Sequence, residues 1–301
     1  MMFKNGNCPC CGKEEWRPFF QGAIRNGAYG SAIKNALVLC CSDCGLIRMD
    51  ERFCEPPESY INTVYRDSLN QSNSPSGFYT KHDEIQLERL NMFQVNKLRG
   101  ARVVDIGCAA GSFLDYISGL ADSCVAIEPA LSYHESLKNK KFELYESLDS
   151  AIEKSIQPVT HAFCFSVIEH VKNPLEFLQQ IYSLMQEKAQ LIISTPNLND
   201  FMIDLSLEYK SFFFRKAHRW YFNNDSIMKL AERAGFKNIE VKCYHRFGIS
   251  NMINWMQYSE PYKNDKSNLG FDTKFIDIVW QKNLEQSYRG DYLYITMEKY
   301  K

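Results

Sequence analysis

The chain contains no apolar run long enough to cross a bilayer, for which about 18 or more consecutive residues would be needed. Its opening, MMFKNGNCPC, lacks the apolar segment of a secretory signal. Neither end carries a lipidation motif, and no internal repeat is present. There is no excess of either charge: 35 basic and 36 acidic residues leave a formal net charge of −1. General polyanion binders are far more basic, so nucleic acid is not expected as a partner. A disulfide framework is also disfavoured, because the cysteines number eleven and no secretory start precedes them. The cytosol is the expected compartment. What the chain does have is 301 residues, 45% of them apolar, enough for a sizeable core and about two domains.

The cysteines fall in clusters. CPCCG contains Cys8, Cys10, Cys11 and Gly12; CCSDCG starts at Cys40 and contains Cys41, Cys44 and Gly45. Each holds one Cys-x-x-Cys-Gly knuckle, and two such knuckles can offer four thiolates tetrahedrally to one zinc ion. The glycine after each second cysteine permits the turn that aims amides at sulfur. Cys8, Cys11, Cys41 and Cys44 are therefore the expected ligands of a structural zinc site. The other cysteines read as spares (Cys10, Cys40) or as small core residues.

Residues 1–55 then form a zinc-binding unit, 56–79 a connector with little regular structure, and 80–301 a larger domain with an insert over 248–290. Residues 80–98 read as a helix with Ile85, Leu87, Leu90, Phe93, Val95 and Leu98 on its apolar face. From 100 to 247, short apolar strands alternate with helices, among them a helix capped by Asn173 with Pro174 in its first turn. The alternation predicts an α/β fold with a largely parallel sheet covered on both faces, and ligands beyond the carboxyl ends of its strands.

The segment VVDIGCAAGSFL, residues 103–114, sets Asp105, Gly107 and Gly111 at a strand-to-helix turn. Such a corner brings backbone amides and a helix start up to a ligand. Glu128 lies 21 residues beyond Gly107, at the end of the next strand, where a carboxylate can accept both hydroxyls of a ribose. Together these signals indicate an adenosine-type ligand. Gly-x-Gly-x-x-Gly is absent, since Ala109 and Ala110 occupy the middle, and Asp105 can serve a ligand ammonium. Both details favour S-adenosylmethionine over a nicotinamide cofactor.

These motifs resemble, in order, those of class I S-adenosylmethionine-dependent methyltransferases: VVDIGCAAGSFL, AIEP, FSVIEHV (165–171), LIISTPN (191–197), AGFKNIEV and the closing DYLYITMEK. The resemblance covers about 80–300. It implies a Rossmann-like seven-stranded sheet of order 3-2-1-4-5-7-6 with strand seven antiparallel. It also implies a cofactor site built from Asp105, Gly107, Cys108, Ala109, Gly111, Glu128, Pro129, Ser147, Leu148 and Ser166. The cysteine knuckles, with Tyr60, Tyr65 and Arg66, resemble zinc-bearing methyltransferases of sugar and polysaccharide pathways. Sugar C-methyltransferases of that kind carry a further C-terminal domain, which this chain does not show after its seventh strand, so a hydroxyl acceptor on a sugar or nucleotide-sugar is expected. Ubiquinone-pathway O-methyltransferases that use a divalent metal have Glu-x-x-Glu-His; here Ser166 stands first, before Glu169 and His170.

A sugar hydroxyl needs a general base. His170, after the fourth strand, is the first candidate. His218, in SFFFRKAHRWYF (211–222) with Arg215, Lys216 and Arg219 as phosphate ligands, is the second, and His245 the third. The insert, with Trp255, Tyr258, Tyr262 and Trp280, can line the acceptor pocket or form a homodimer surface. Competing readings are an RNA or protein methyltransferase with the zinc unit as recognition module, an NAD-dependent oxidoreductase, and a non-catalytic binding protein.

Overall fold

The computed structural model describes residues 6–62, 64–261 and 272–300; Tyr262 of the insert lies outside them. The chain begins with strands β1 (Trp16–Arg25), β2 (Ala32–Cys41) and β3 (Ile47–Met49). Helices α1 (Val64–Ser68) and α2 (Pro75–Leu90) follow. The alternating region runs β4 (Arg102–Ile106), α3 (Ser112–Ile117), β5 (Ser123–Ile127), α4 (His134–Asn139), β6 (Glu143–Tyr145), α5 (Leu148–Glu153), β7 (Val159–Phe165), α6 (Pro174–Leu184) and β8 (Met185–Pro196). The remainder is α7 (Phe201–Leu205), α8 (Leu207–Phe213), β9 (Trp220–Tyr221), α9 (Asn224–Ala234), β10 (Phe236–Tyr244), α10 (Ile249–Tyr258), α11 (Lys274–Gln286) and β11 (Tyr292–Lys299).

Seven strands form one sheet in the order β10-β11-β8-β7-β4-β5-β6. This is the expected strand order, read from its other edge. Strands β8, β7, β4, β5 and β6 pair in parallel. The central strands bury nearly every side chain, as a sheet covered on both faces requires. Local signals set the helix starts. Asn173 Oδ1 accepts from Glu176 N with Pro174 next in line, and Ser147 and Ser150 form a reciprocal capping box at α5. Gly235, at φ 106°, closes α9.

Two expectations need correction. Residues 56–79 are not without regular structure: a 3-10 turn spans Pro57–Tyr60, α1 follows, and α2 begins at Pro75, capped by Ser74 Oγ. Pro75 and Ser74 look like linker composition but are also the residues that start a helix. The apolar residues of 80–98 do not mark one buried face either. The α-helix ends at Leu90, Leu87 is exposed, and the only fully buried residue within α2 is Gln86.

The chain divides into two compact units, each made of several segments. The first comprises 1–54, 195–227 and 241–294; the second comprises 55–194, 228–240 and 295–301. In the first, β1-β2-β3-β9 make an antiparallel sheet, β9 pairing with β3. Ile24, Val38, Ile47, Met49, Phe214 and Tyr221 form its core.

Candidate active site

The second unit contains the turn after β4. Gly107 sits at φ +73°, and a Cβ there would lie 2.5 Å from Val167 Cγ2, so neither the backbone nor the packing admits another residue. Ala109 is also left-handed, at φ 50°, a conformation that costs a non-glycine residue free energy and tends to gather at ligand sites. Its amide donates to Glu128 Oε2 (2.6 Å), and the amide of Ala130 donates to Oε1 (2.8 Å). The turn after β4 and the end of β5 are thus joined through one carboxylate, each oxygen of which retains acceptor capacity.

Both acids here are buried. Burial pushes Asp105 up to about 7, with the charge of Arg89 opposing the shift and that of Glu128 adding to it. Burial also raises Glu128, against the two amides that favour its charged form. The fully buried Tyr133 has a hydroxyl with no hydrogen-bond partner, in the electrostatic neighbourhood of Glu128 and Arg66. Two desolvated carboxyls and an unsatisfied hydroxyl fit a polar, cationic ligand better than a closed apolar core.

Around this corner the sequence marked Arg66 but missed Tyr79, His82, Asp83 and Arg89. Tyr79 donates to Ala110 O (2.9 Å), and Ser112 Oγ donates to Asp83 (2.5 Å), so α2 holds the glycine turn from outside. Arg66 stands over the rings of Phe78 and Tyr133, at 5.1 and 5.0 Å, and Arg89 over Phe165 at 4.4 Å. His82 stacks on Phe78; burial, with the charges of Arg66, Lys81 and Arg89, lowers it to about 4. A signal existed: Tyr79, His82, Asp83 and Gln86 recur at i, i+3, i+4 and i+7, a polar stripe on the helix.

His170 is also in the second unit. Its Nδ1 is 3.1 Å from the hydroxyl of Tyr60, its Nε2 is 3.8 Å from the buried Glu169, and Tyr65 packs edge-on against its ring.

The first unit gathers Cys8, Cys11, Cys41 and Cys44, whose sulfurs all lie within 4.8 Å of one another. Gly12 and Gly45 take positive φ as the knuckles require, and their amides donate to Cys8 O and Cys41 O. Cys10 points elsewhere, to Ser226 O, and Cys40 is buried. His218 has its Nε2 occupied as acceptor for Arg215 Nε (2.6 Å). His245 Nδ1 lies 3.3 Å from Asp291, which Arg246 keeps ionised down to about 2 against the cost of burial.

A family profile described as a methyltransferase domain matches residues 79–241. The chain belongs to this methyltransferase-domain family. Among curated relatives, the tRNA U34 carboxymethyltransferase of Helicobacter pylori (strain P12) is 28% identical over 156 residues, 48% of this chain and 59% of that one. The chain therefore spans about three fifths of that relative's length. The juvenile hormone acid O-methyltransferase of Bombyx mori is 24% identical, covering 72% of this chain and 87% of that one. A SAM dependent methyltransferase from Archaeoglobus fulgidus shares the fold at a TM-score of 0.50 and 20% identity, covering 74% of this chain and 98% of that one.

Within this methyltransferase domain the other sequence candidates sit as follows. Cys108 is buried beside Ala109, and Ser166 is left-handed at φ 58°, its amide donating to Ser194 O. Ser147 spends its hydroxyl on the α5 cap and Leu148 is buried behind it. Pro129 follows Glu128 directly.

Proposed function

We propose that this domain transfers the methyl group of S-adenosylmethionine to a hydroxyl of a sugar or nucleotide-sugar in glycan assembly. The observation that carries the reading is the Glu128 carboxylate held by Ala109 N and Ala130 N at the glycine corner, with Asp105 buried beside it. Glu128 takes the ribose hydroxyls, and Gly107, Cys108, Ala109 and Gly111 give close backbone approach. Asp105 serves the ammonium, while Pro129, Ser147, Leu148 and Ser166 complete the walls. The cofactor supplies an electrophilic methyl on a sulfonium. The protein supplies alignment, worth several kcal/mol by effective molarity. The missing first carboxylate at Ser166 weighs against a catalytic divalent metal.

Support for a sugar acceptor is the four-cysteine cluster together with Tyr60, Tyr65 and Arg66. A zinc ion on Cys8, Cys11, Cys41 and Cys44 fits an all-thiolate donor set and has a structural role, since four protein ligands leave no open position. His170 is the base. Tyr60 holds the ring through Nδ1, and Glu169, 3.8 Å from Nε2, stabilises the imidazolium that forms when the ring takes the acceptor proton. His218 and His245 rank lower, because an arginine covers Nε2 of one and an aspartate holds the other.

The test is a methyl-labelled donor screened against a nucleotide-sugar panel, with tRNA and protein as counter-acceptors. Label in a nucleotide-sugar supports the reading; label only in tRNA replaces it with the RNA one. His170→Ala is expected to lower kcat at least about 100-fold while donor affinity changes little. Equal kcat in the variant would move the base elsewhere.

The raised Asp105 carboxyl sets a pH dependence. Its folded value, about 7, exceeds the ordinary 3.8. Its contribution to stability is complete below the ordinary value and is lost as pH rises through about 7. A bound ammonium favours the carboxylate and expels the proton. S-adenosylhomocysteine affinity should therefore climb as pH rises through this window, with proton release measurable by calorimetry in buffers of different ionisation enthalpy. A flat profile would remove Asp105 from the ammonium site.

A further inference from the structure

We propose that α11 is a self-association surface, on which a second copy of this chain packs antiparallel about a two-fold axis. In the first unit, Phe275, Ile276, Ile278 and Val279 are 77, 40, 52 and 54% exposed. They occupy two consecutive turns, while Leu284 and the Asp277 carboxylate, which caps α10 through Ile249 N, hold the opposite side of the helix to the protein. Phe275, Ile276, Val279, Trp280 and Asn283 line a groove of about 340 Å³, and the Trp280 indole N–H is buried there with no hydrogen-bond partner.

The area suits a dimer. Taking about 150–200 Å² for a fully exposed large side chain, the four residues present roughly 400 Å² of mostly apolar surface. A stable interface buries about 800 Å² per partner, a little over half of it apolar. One copy of this stripe, with its polar margin, supplies what one side of such an interface needs. A contiguous apolar patch of this size is also at the scale that marks interaction sites.

The charges suit a second copy. Lys274 and Glu285 are eleven residues apart, about three turns, so they share one flank of α11. An antiparallel two-fold pairing centred between Val279 and Trp280 brings Lys274 of each copy opposite Glu285 of the other. Glu285 is already oriented, because its Oε1 accepts from His245 N at 3.1 Å. The near-zero net charge opposes self-association little. An isologous contact of this kind closes at two copies.

Sedimentation velocity of the full chain over a wide concentration range tests this. Wild type is expected to form dimers. Val279→Asp should weaken self-association at least tenfold with an unchanged circular dichroism spectrum. Lys274→Glu should weaken it, and adding Glu285→Lys should restore it. A wild-type monomer throughout overturns the proposal and leaves the groove to an acceptor; a Val279→Asp dimer as tight as wild type overturns it as well. The measurement does not involve methyl transfer, so its failure and failure of the functional reading are separable.

Discussion

Chelating the metal assigned to Cys8, Cys11, Cys41 and Cys44 should loosen the knuckles and the N-terminal sheet beside them and leave donor binding largely intact. A structural four-thiolate zinc contributes about 10–16 kcal/mol to folding in small modules. The knuckles themselves have little else to hold them: they are turns beside a sheet whose strands β3 and β9 have three and two residues. Beyond the cluster, Arg48 stacks on Trp220 and ion-pairs with Glu51, which Arg219 also engages. Without a cation the cluster is poorly poised, since burial and the neighbouring Cys8 hold the Cys44 thiol well above its usual range. All four tryptophans, Trp16, Trp220, Trp255 and Trp280, lie in the first unit, whereas every proposed cofactor residue lies in the second. Tryptophan emission should therefore shift red on chelation, with metal released at one ion per chain. S-adenosylhomocysteine affinity should change by less than about tenfold. Protein purified without zinc and unaffected by chelator would end the zinc assignment.

Glu128→Ala should weaken S-adenosylhomocysteine by at least about 100-fold, from the loss of two hydrogen bonds to a charged acceptor at about 1.5–3 kcal/mol each. The variant also frees the amides of Ala109 and Ala130, so part of the loss reflects a relaxed corner. Glu128→Gln separates the two contributions. It keeps an oxygen for one amide and removes the charge, and should retain intermediate affinity with near-normal thermal stability. Calorimetric titration of both variants decides the matter. Wild-type affinity in Glu128→Ala would show that the carboxylate staples the corner and does not hold the ribose.

The α/β class and the glycine corner were legible because both follow from short-range rules. A buried parallel sheet demands apolar strands at regular intervals, and close backbone approach demands glycine at Gly107, where a side chain would strike Val167. The knuckle cysteines were legible for the same reason: Cys-x-x-Cys-Gly closes its turn locally. The connector was misread because Ser74 and Pro75 serve loops and helix starts equally well. The orientation of α2 was misread because its apolar residues are scattered, while the side it turns inward carries the half-buried Tyr79 and Asp83 and the buried Gln86, the first two bonding residues 29 to 57 positions away.

Sequence alone determined the strand-and-helix alternation, the Asp105–Gly107–Gly111 turn, the place of Glu128 and the pairing of knuckles, all of them local patterns read over a few residues. Only the tertiary structure decided that Ala109 and Ala130 grip Glu128 and that Tyr60 meets His170 across 110 positions. It also decided that β9 completes the N-terminal sheet. Those contacts join residues far apart in the chain. Which of many possible partners a buried polar group finds is fixed by packing of the whole unit, where an unmatched group costs more than any local preference can recover.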